Sequence, residues 1–192
     1  MTHIDRRLRE KQKIKQRILD AARELAAKEG WQAVTMRKIA DKIEYTPPIV
    51  YEYFDGKEGI FQELIYLGFN TIHDEIERVK QTQADPKKLL FSISLIWWDF
   101  ARKNMDLYQL MFSLDRPTPS KEMIEIFTLV ENILLQLSGN NKRLAEEILT
   151  SWSCFNHGAI SLLLRLPLPP HFSRRNKREI FISIMKRFID GL

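Results

Sequence analysis

The amino-acid sequence predicts an all-α protein of about nine helices. Apolar residues recur at spacings of three and four along nearly the whole chain, no convincing alternating strand pattern is present, and glycines and prolines lie between the periodic segments. The chain has 192 residues, 44% of them hydrophobic, which is enough apolar sequence to bury a core in one or two globular domains. A disordered or low-complexity chain is thereby excluded.

The N-terminal third is predicted to hold three helices followed by a long fourth one. The first ends at Gly30, Thr35 is placed to cap the second, and Pro47 takes the first position of the third, where its missing N–H costs nothing. Asp55 and Gly56 separate the third helix from the fourth, which carries a continuous apolar stripe. These predicted helices are residues 7–29, 36–43, 47–54 and 57–81.

Five more helices are predicted in the remainder of the chain. Residues 87–102 are apolar on nearly all sides, which is typical of a helix surrounded by others at the centre of a second core. Two prolines exclude a helix from residues 115–120. The predicted helices are residues 87–102, 106–112, 121–137, 142–166 and 173–190, with no repeats and no flexible linker between them.

The excess of positive charge is confined to the N-terminus. The formal net charge is +5, and residues 1–17 alone hold seven Arg or Lys against Asp5 and Glu10, so the rest of the chain carries no net charge. This distribution favours a polyanion as partner. A basic arm, Arg6 to Arg17, could then lie along a DNA backbone or reach a minor groove; the alternative is a solvated terminus without a partner.

Composition narrows the other classes of function. A single cysteine excludes an internal disulfide, and neither a secretory segment nor an apolar run of about 18 residues is present, so we expect a cytoplasmic protein that does not enter a membrane. Cys154 and His157 have the spacing of a thiol–base pair or of two metal ligands, but no third ligand or orienting carboxylate is evident nearby. We therefore predict no enzyme, no cofactor and no metal site.

Two short helices joined by about three residues, with a longer helix in front, are the outline of a helix-turn-helix DNA-binding unit. Such a unit presents its second helix to the major groove, where base edges carry a specific pattern of donors and acceptors. Polar and aromatic residues are expected at the start of that helix, and basic or hydroxyl groups near phosphates. The candidate DNA-binding residues are Thr35, Arg37, Lys38, Tyr45, Thr46, Pro47, Tyr51, Tyr53 and Lys57.

The same residues carry a resemblance to a known family. Thr35-Met-Arg-Lys-Ile-Ala-Asp-Lys-Ile followed by Tyr51-Glu-Tyr-Phe-Asp-Gly-Lys-Glu resembles the N-terminal signature of TetR-family transcriptional regulators over about residues 14–65. The resemblance implies a helix-turn-helix domain in residues 1–56 and a larger helical domain for ligand binding and dimerisation in residues 57–192. It also implies that Thr35 caps its helix near a phosphate, and that Tyr53 and Lys57 hold phosphates.

The sequence departs from the family pattern in the turn. The family usually has glycine followed by a small aliphatic residue, whereas this chain has Glu44 and Tyr45, so we expect a different turn backbone and an acid near the DNA. Pro47 and Pro48 also remove two amide donors from the start of the third helix, which weakens phosphate binding there. Recognition should then depend more on side chains and on the basic arm. Phe54 is predicted to be core.

The C-terminal two thirds are rich in bulky, adaptable side chains. Each alone reads most simply as core, but the resemblance to the family favours an apolar pocket for a small apolar or aromatic effector. Trp152 to Gly158 also resembles a Trp-x(4)-His-Gly element of one TetR subgroup, and Gly158 beside Ala159 predicts close helix approach. The candidate ligand residues are Trp97, Trp98, Phe100, Met105, Tyr108, Met111, Phe112, Phe127, Trp152, Phe155, Asn156 and His157.

Wide apolar stripes on the last two helices suggest a partner surface. In the family these helices pair with their copies as a four-helix bundle, which implies a homodimer that sets two recognition helices about 34–36 Å apart on a pseudo-palindromic operator. The resemblance therefore implies transcription regulation by a ligand-responsive repressor, with the effector shifting the long helix 57–81. A DNA-binding regulator without a small effector, constitutive or controlled by a protein partner, remains the alternative.

Overall fold

The computed structural model describes residues 3–113, 120–167 and 176–192, with side chains from residue 6 onwards. It confirms the all-α prediction: those ranges form nine α-helices and one 3-10 turn at Trp31–Ala33, and no strand. The helices are α1 (His3–Glu29), α2 (Met36–Ile43), α3 (Pro47–Tyr51), α4 (Gly56–Lys80), α5 (Pro86–Lys103), α6 (Met105–Met111), α7 (Lys121–Leu137), α8 (Lys142–Arg165) and α9 (Lys177–Asp190).

Two helix boundaries in the N-terminal third differ from those expected by more than one residue. α1 begins at His3 instead of residue 7, so the basic arm is helical. α3 ends at Tyr51 instead of Phe54, because the backbone N–H groups of Tyr53 and Phe54 both donate to the Val50 carbonyl and close a tight turn. Near the C-terminus, α9 begins at Lys177, after its N-cap Asn176, and not at residue 173. Most of the predicted loop 115–120 and the predicted start of the last helix at residue 173 lie outside the described residues.

The chain forms two compact units. Residues 3–68 and 106–113 make the first, and residues 69–105, 120–167 and 176–192 make the second. The division falls within α4, after Gly68, so this helix belongs to both units. α6 belongs to the first unit although α5, which precedes it in the chain, belongs to the second. The domain boundary between residues 56 and 57 stays a prediction from the sequence.

The first unit is built on the packing of α1 against α2 and of α2 against α3. The apolar face of α2 supplies the centre of this packing, as its periodicity predicts. Phe54 is buried at 7% exposure, which confirms its assignment to the core. The side chains with no exposed surface in this unit include Ile18, Ala22, Ile39, Val50 and Ile60.

Polar contacts tie the start of α6 to α1 and to the 3-10 turn. Arg23 donates two hydrogen bonds to the Asp106 carboxylate, from Nε at 2.9 Å and from a terminal nitrogen at 3.2 Å. The indole Nε1 of Trp31 donates to the Asp106 carbonyl at 2.8 Å. Such a bidentate pair fixes direction as well as distance. The hydrogen bond with Asp106 is also the main reason that the pKa of Arg23 is raised.

α6 packs closely against α4 at Gly68. A Cβ atom built on Gly68 would lie 2.6 Å from Met111 Sδ and 3.4 Å from Leu107 side-chain carbons. Since real Cβ contacts are not as short as 2.6 Å, a larger residue here requires the Met111 side chain to move. The absence of a side chain at Gly68 therefore sets the spacing of the two helices within the first unit.

The second unit is arranged around α5, which contacts α7, α8 and α9, as its nearly continuous apolar surface predicts. Trp98 stacks on Phe181 of α9 with ring centroids 4.6 Å apart. On the α8 side, the buried Ser94 hydroxyl accepts a hydrogen bond from Trp152 Nε1 at 3.0 Å and donates to the Leu90 carbonyl at 3.0 Å. The two polar groups thus satisfy each other inside an apolar core.

Candidate nucleic-acid interface and effector region

The helix-turn-helix begins with a capped α2. The Thr35 side chain accepts a hydrogen bond from the backbone N–H of Lys38 at 3.2 Å, which is the N-cap geometry expected from the sequence. Thr35 itself stays exposed, so its hydroxyl lies at the surface at the start of the supporting helix. The cap fixes where α2 begins and therefore which residues face the core.

α2 ends in a left-handed residue that is not glycine. Glu44 has φ 62° and ψ 39°, and the following N–H of Tyr45 donates to the Ala40 carbonyl at 3.0 Å. This closure is typical of helix ends at which glycine supplies the left-handed residue. The expected change of turn backbone does not occur: Glu44 adopts the conformation that glycine favours, at a steric cost that glycine avoids.

Arg17 stabilises the same turn, although nothing in the sequence distinguishes it from the other charges of the arm. Its guanidinium donates to the carbonyl of Ile43, the last residue of α2, at 2.8 Å and lies 5.3 Å from the centre of the Tyr45 ring. A cation at a helix C-terminus satisfies an unpaired carbonyl and interacts favourably with the helix dipole. Arg17 and Ile43 are 26 positions apart in the chain, so no periodic signal could have revealed the contact.

The start of α3 consists of a threonine whose hydroxyl does not cap the helix among the described residues, followed by two prolines. Thr46 is the N-cap residue, but its side chain makes no capping bond among the described residues and is exposed. Pro47 and Pro48 follow at the first two helical positions, and Pro47 is half-buried. Because the two prolines offer no N–H, two backbone donors are missing at the start of α3, and contact with DNA there depends more on side chains such as that of Thr46.

The other candidate DNA-binding residues differ in their exposure and in whether a carboxylate lies beside them. Tyr51 is 57% exposed, at the end of α3. Lys38 forms an ion pair with Glu29 at 2.6 Å, and Arg37 lies 4.0 Å from Asp41, so both cations have carboxylate neighbours. The residues that are half-buried are Tyr45, Tyr53 and Lys57.

Tyr53 and Lys57 flank the core behind α3. The pKa of Tyr53 is raised, mainly by desolvation and further by Glu52 and Tyr45, so the phenol is a hydrogen-bond donor at neutral pH. Lys57 lies 5.5 Å from the centre of the Phe61 ring, which holds its stem along the protein surface. All nine candidate DNA-binding residues belong to the first unit.

The candidate ligand residues are divided between the two units. Tyr108, Met111 and Phe112 lie in the first unit, with the first two buried in or near the contact with α4. The second unit holds the other nine. Its buried members are Trp97, Trp98, Phe100, Trp152 and Asn156, its half-buried members are Met105, Phe127 and His157, and Phe155 is 38% exposed.

Three buried polar atoms of the second unit have no hydrogen-bond partner within the described part of the chain. They are Trp98 Nε1, Ser153 Oγ and Asn156 Oδ1. An unsatisfied buried group costs about 1–3 kcal/mol, so such groups usually have an explanation in water, strain or ligand binding. His157, the residue after Asn156, is half-buried, and desolvation lowers its pKa, which favours the neutral imidazole.

Gly158 has open space beside it within the described part of the chain. A Cβ atom there would meet nothing within 4 Å, so no other described helix of the same chain approaches α8 at this glycine, and close helix approach stays a prediction. Its neighbour Phe155 points outward and stacks on Phe188 of α9 with ring centroids 5.2 Å apart. The surface around Phe155 and Gly158 is therefore open in a single protomer.

Cys154 and His157 differ in their surroundings. The cysteine is exposed and the histidine is half-buried with Ser161 Oγ 3.5 Å from its Nε2. No cluster of three or more metal-ligating side chains occurs in the ranges that the structure describes. Among the same residues, no helix has both the length and the apolar character needed to cross a membrane.

Residues 18–64 match the family described as "Bacterial regulatory proteins, tetR family". The chain carries a TetR-family N-terminal domain. This match covers α2, the turn and α3, together with the C-terminal part of α1 and the start of α4. The TetR-family assignment of the N-terminal domain is thus confirmed. The finer resemblance to a Trp-His-Gly subgroup stays a prediction.

Curated proteins similar to this chain are named as regulators. The uncharacterized HTH-type transcriptional regulator YobS of Bacillus subtilis is 30% identical over 93 residues, 48% of each chain. The transcriptional activator FasR of Mycolicibacterium smegmatis is 24% identical over 53% of this chain and 46% of its own. The repressor KstR of Mycobacterium tuberculosis is 33% identical over 38% of this chain and 33% of its own. These names agree with the prediction that the chain is not an enzyme.

The likeness of fold extends over nearly the whole chain. The putative regulatory protein SCO4313 has a TM-score of 0.77 at 19% identity, covering 94% of this chain and 97% of that one. A TetR-family regulator from Bordetella parapertussis has a TM-score of 0.66 at 18% identity, covering 92% of both. The sequence matches, in contrast, span about half the length of the first curated relatives. The C-terminal helices thus share the fold of the TetR-family neighbour.

The left-handed turn residue yields a first prediction. Glu44→Gly should raise the free energy of unfolding by about 0.5–1 kcal/mol, because glycine removes the steric cost of a side chain at φ 62°. The greater conformational entropy of glycine in the unfolded chain offsets only part of this stabilisation. Glu44→Gln, which removes the charge and keeps the Cβ, should leave stability nearly unchanged. Urea unfolding of the three proteins measures both effects, and equal changes in the two variants would contradict the steric argument.

Proposed function

We propose that this protein is a DNA-binding transcriptional regulator, a cytoplasmic homodimeric repressor that binds a pseudo-palindromic double-stranded operator and responds to a small, uncharged, apolar or aromatic effector. The observation that carries the proposal is the helix-turn-helix of the first unit. In it a capped α2 and a closed left-handed turn present the exposed Thr46 and Tyr51 on α3. The TetR-family match over residues 18–64 supports the same conclusion.

In this proposal the two short helices contact different parts of the DNA. α3 enters the major groove, where Thr46 and Tyr51 contact bases or adjacent backbone. Thr35, Arg37 and Lys38 at the start of α2 contact phosphates, and Lys38 exchanges its exposed partner Glu29 for a phosphate oxygen. Tyr45, Pro47, Tyr53 and Lys57 shape and border this surface.

Selection from a random duplex library tests the DNA-binding function, because the protein itself then picks out the operator sequence. We expect the protein to enrich a pseudo-palindrome whose half-site centres are one helical turn or a multiple of it apart. Tyr51→Ala should weaken binding to the selected duplex at least about tenfold and bring it closer to the affinity for a scrambled duplex. Tyr66→Ala is the matched control, since Tyr66 on α4 is also well exposed, at 45% against 57% for Tyr51.

If no duplex is enriched, or if the two tyrosine variants lose affinity equally, the assignment of α3 as the reading helix is wrong. An equal loss on selected and scrambled duplexes would instead make Tyr51 a phosphate-contacting residue.

The effector proposal is supported by what the second unit buries. Its buried side chains are apolar or aromatic apart from Ser94 and Asn156, so among the described residues no buried charge is available to balance an ionised ligand. Asn156 Oδ1 and Trp98 Nε1 are an acceptor and a donor that have no partner among the residues that the structure describes. A neutral lipophilic molecule with a hydroxyl or carbonyl group fits this environment.

A thermal-shift screen with uncharged lipophilic compounds tests this proposal, since a ligand that binds only the folded protein raises its melting temperature. Asn156→Leu should fold with similar or higher stability, because it removes an unsatisfied buried acceptor. The variant should bind hits that carry a hydrogen-bond donor at least about tenfold more weakly, while hits without a donor serve as the control. Equal affinities in both proteins for all hits would exclude Asn156 from the site.

Dimerisation through α8 and α9 is supported by the outer face of α8. Phe155 and Leu162 are 38% and 55% exposed and, seven residues apart, lie on one face, on which Gly158 between them has no side chain. Leu166, the C-cap residue that follows the helix, is 51% exposed. α9 packs beside α8 and contributes Phe188 to the stack with Phe155. An isologous pairing of two such surfaces removes the exposed side chains from water.

Leu162→Glu should therefore convert the dimer to a monomer, because two carboxylates would be buried near the two-fold axis. Ile124→Glu is the control, since Ile124 on α7 has nearly the same exposure, 54% against 55%. Light scattering coupled to size-exclusion chromatography measures the mass. A monomeric wild type, or a monomer produced only by Ile124→Glu, would place any dimer interface elsewhere.

A further inference from the structure

We infer that the N-terminal extension of α1 binds the sugar–phosphate backbone as a helix, through the face that carries Arg6 and Lys13. The inference rests on the proposed DNA-binding function and adds a second contact region to it. We call residues 6–13 of α1 the helical extension. Its partner is the DNA next to the half-site, contacted without reading bases.

The helical extension projects past the turn of the helix-turn-helix. α1 and α2 run in opposite directions along each other, because Lys38 near the start of α2 pairs with Glu29 at 2.6 Å and Lys42 near its end pairs with Glu24 at 2.7 Å. Arg17 reaches the end of α2 at Ile43. Residues 6–13 therefore continue α1 beyond α2 by roughly 12 Å, at about 1.5 Å for each residue.

One face of this extension continues the surface that Arg17 occupies beside the turn. At about 100° for each residue, Arg6, Lys13 and Arg17 fall within roughly 40° of one another around the helix. Glu10 lies on the same face and pairs with Lys13 at 3.8 Å, so the face carries two net positive charges with Arg17 included. Arg6 and Lys13 are exposed.

The opposite side of α1 faces the protein. Lys15 donates to Glu63 of α4 at 2.6 Å and lies 5.7 Å from the centre of the Phe54 ring. Arg7 and Lys11 are turned about 80–120° away from Arg17, towards the Lys15 side. Arg6 and Lys13 thus lie on the face beside the turn between α2 and α3. Arg7 and Lys11 carry the same charge on another side of the helix.

Its helical conformation determines which part of DNA the extension can contact. An α-helix with side chains is about 10–12 Å across, whereas the minor groove of B-DNA is about 6 Å wide. A helix of this width does not fit in that groove, so the helical conformation favours contact with the backbone over the minor-groove alternative. Lys and Arg side chains spaced along a helix can instead neutralise phosphates of one strand.

Two double variants with the same charge test the inference. Arg6→Gln/Lys13→Gln should lower the slope of log affinity against log salt by about two for each protomer bound, and it should weaken binding to the selected duplex and to a scrambled duplex by the same factor. Arg7→Gln/Lys11→Gln should change the slope much less. All four side chains are exposed, so both variants should fold like the wild type.

The length of the duplex provides an independent readout. On a longer duplex, the wild type should bind more tightly than Arg6→Gln/Lys13→Gln. On a duplex trimmed to the two half-sites, the two proteins should bind with the same affinity. Equal slopes for the two double variants, or an advantage independent of duplex length, would overturn the inference. Failure of the proposed function is distinguishable, because the wild type would then select no duplex at all.

Discussion

The direction in which α3 leaves α2 is determined by one residue held in a left-handed conformation. Glu44 turns the chain, the Tyr45 N–H closes the end of α2 on Ala40, and the Arg17 guanidinium satisfies the carbonyl of Ile43. The presentation of Thr46 and Tyr51 depends on this turn, since α3 is only five residues long and Val50 is its one fully buried side chain. These two hydrogen bonds stabilise a turn in which the left-handed residue is not glycine.

In the same region, two lysines of α2 have carboxylate partners on α1. Lys38 and Lys42 of α2 are paired with Glu29 and Glu24 of α1, and these carboxylates lie at the surface, where ion pairs contribute little to stability. Nearby lysines lower the pKa of both glutamates, so the carboxylates remain ionised well into the acid range. A DNA phosphate can replace the glutamate as the partner of the lysine in such a weak pair, and the glutamate is then solvated by water.

Much of the fold could be predicted from periodicity and capping residues. Thr35 at the N-cap, Pro47 at the first helical position, Phe54 in the core and a central α5 are all local signals, readable from a few neighbouring residues. The contacts that could not be predicted join residues far apart in the chain. Arg23 and Asp106 are 83 positions apart and Arg17 and Ile43 are 26 apart, and a charge alone does not indicate its partner.

The candidate sites show the same limit. The exposed residues of the reading helix follow from the motif, whereas the placement of Tyr108 and Met111 in the first unit depends on how α6 packs, which has no local signal. Gly158 is a different case. A small residue in an apolar helix predicts close helix approach, but no described residue of the same chain lies within 4 Å of a Cβ atom built there, so the sequence does not say which helix would approach.

The tie between Asp106 and the first helices bears on how the protein is made. Asp106 takes hydrogen bonds from Arg23 and Trp31, yet the intervening segment 69–105 belongs to the other compact unit. During synthesis the first helices leave the ribosome well before α6, which completes their packing against α4 at Gly68. The nascent N-terminal unit is therefore incomplete until several dozen further residues have been synthesised. Until then, the apolar surface of α4 that α6 covers is exposed to chaperones.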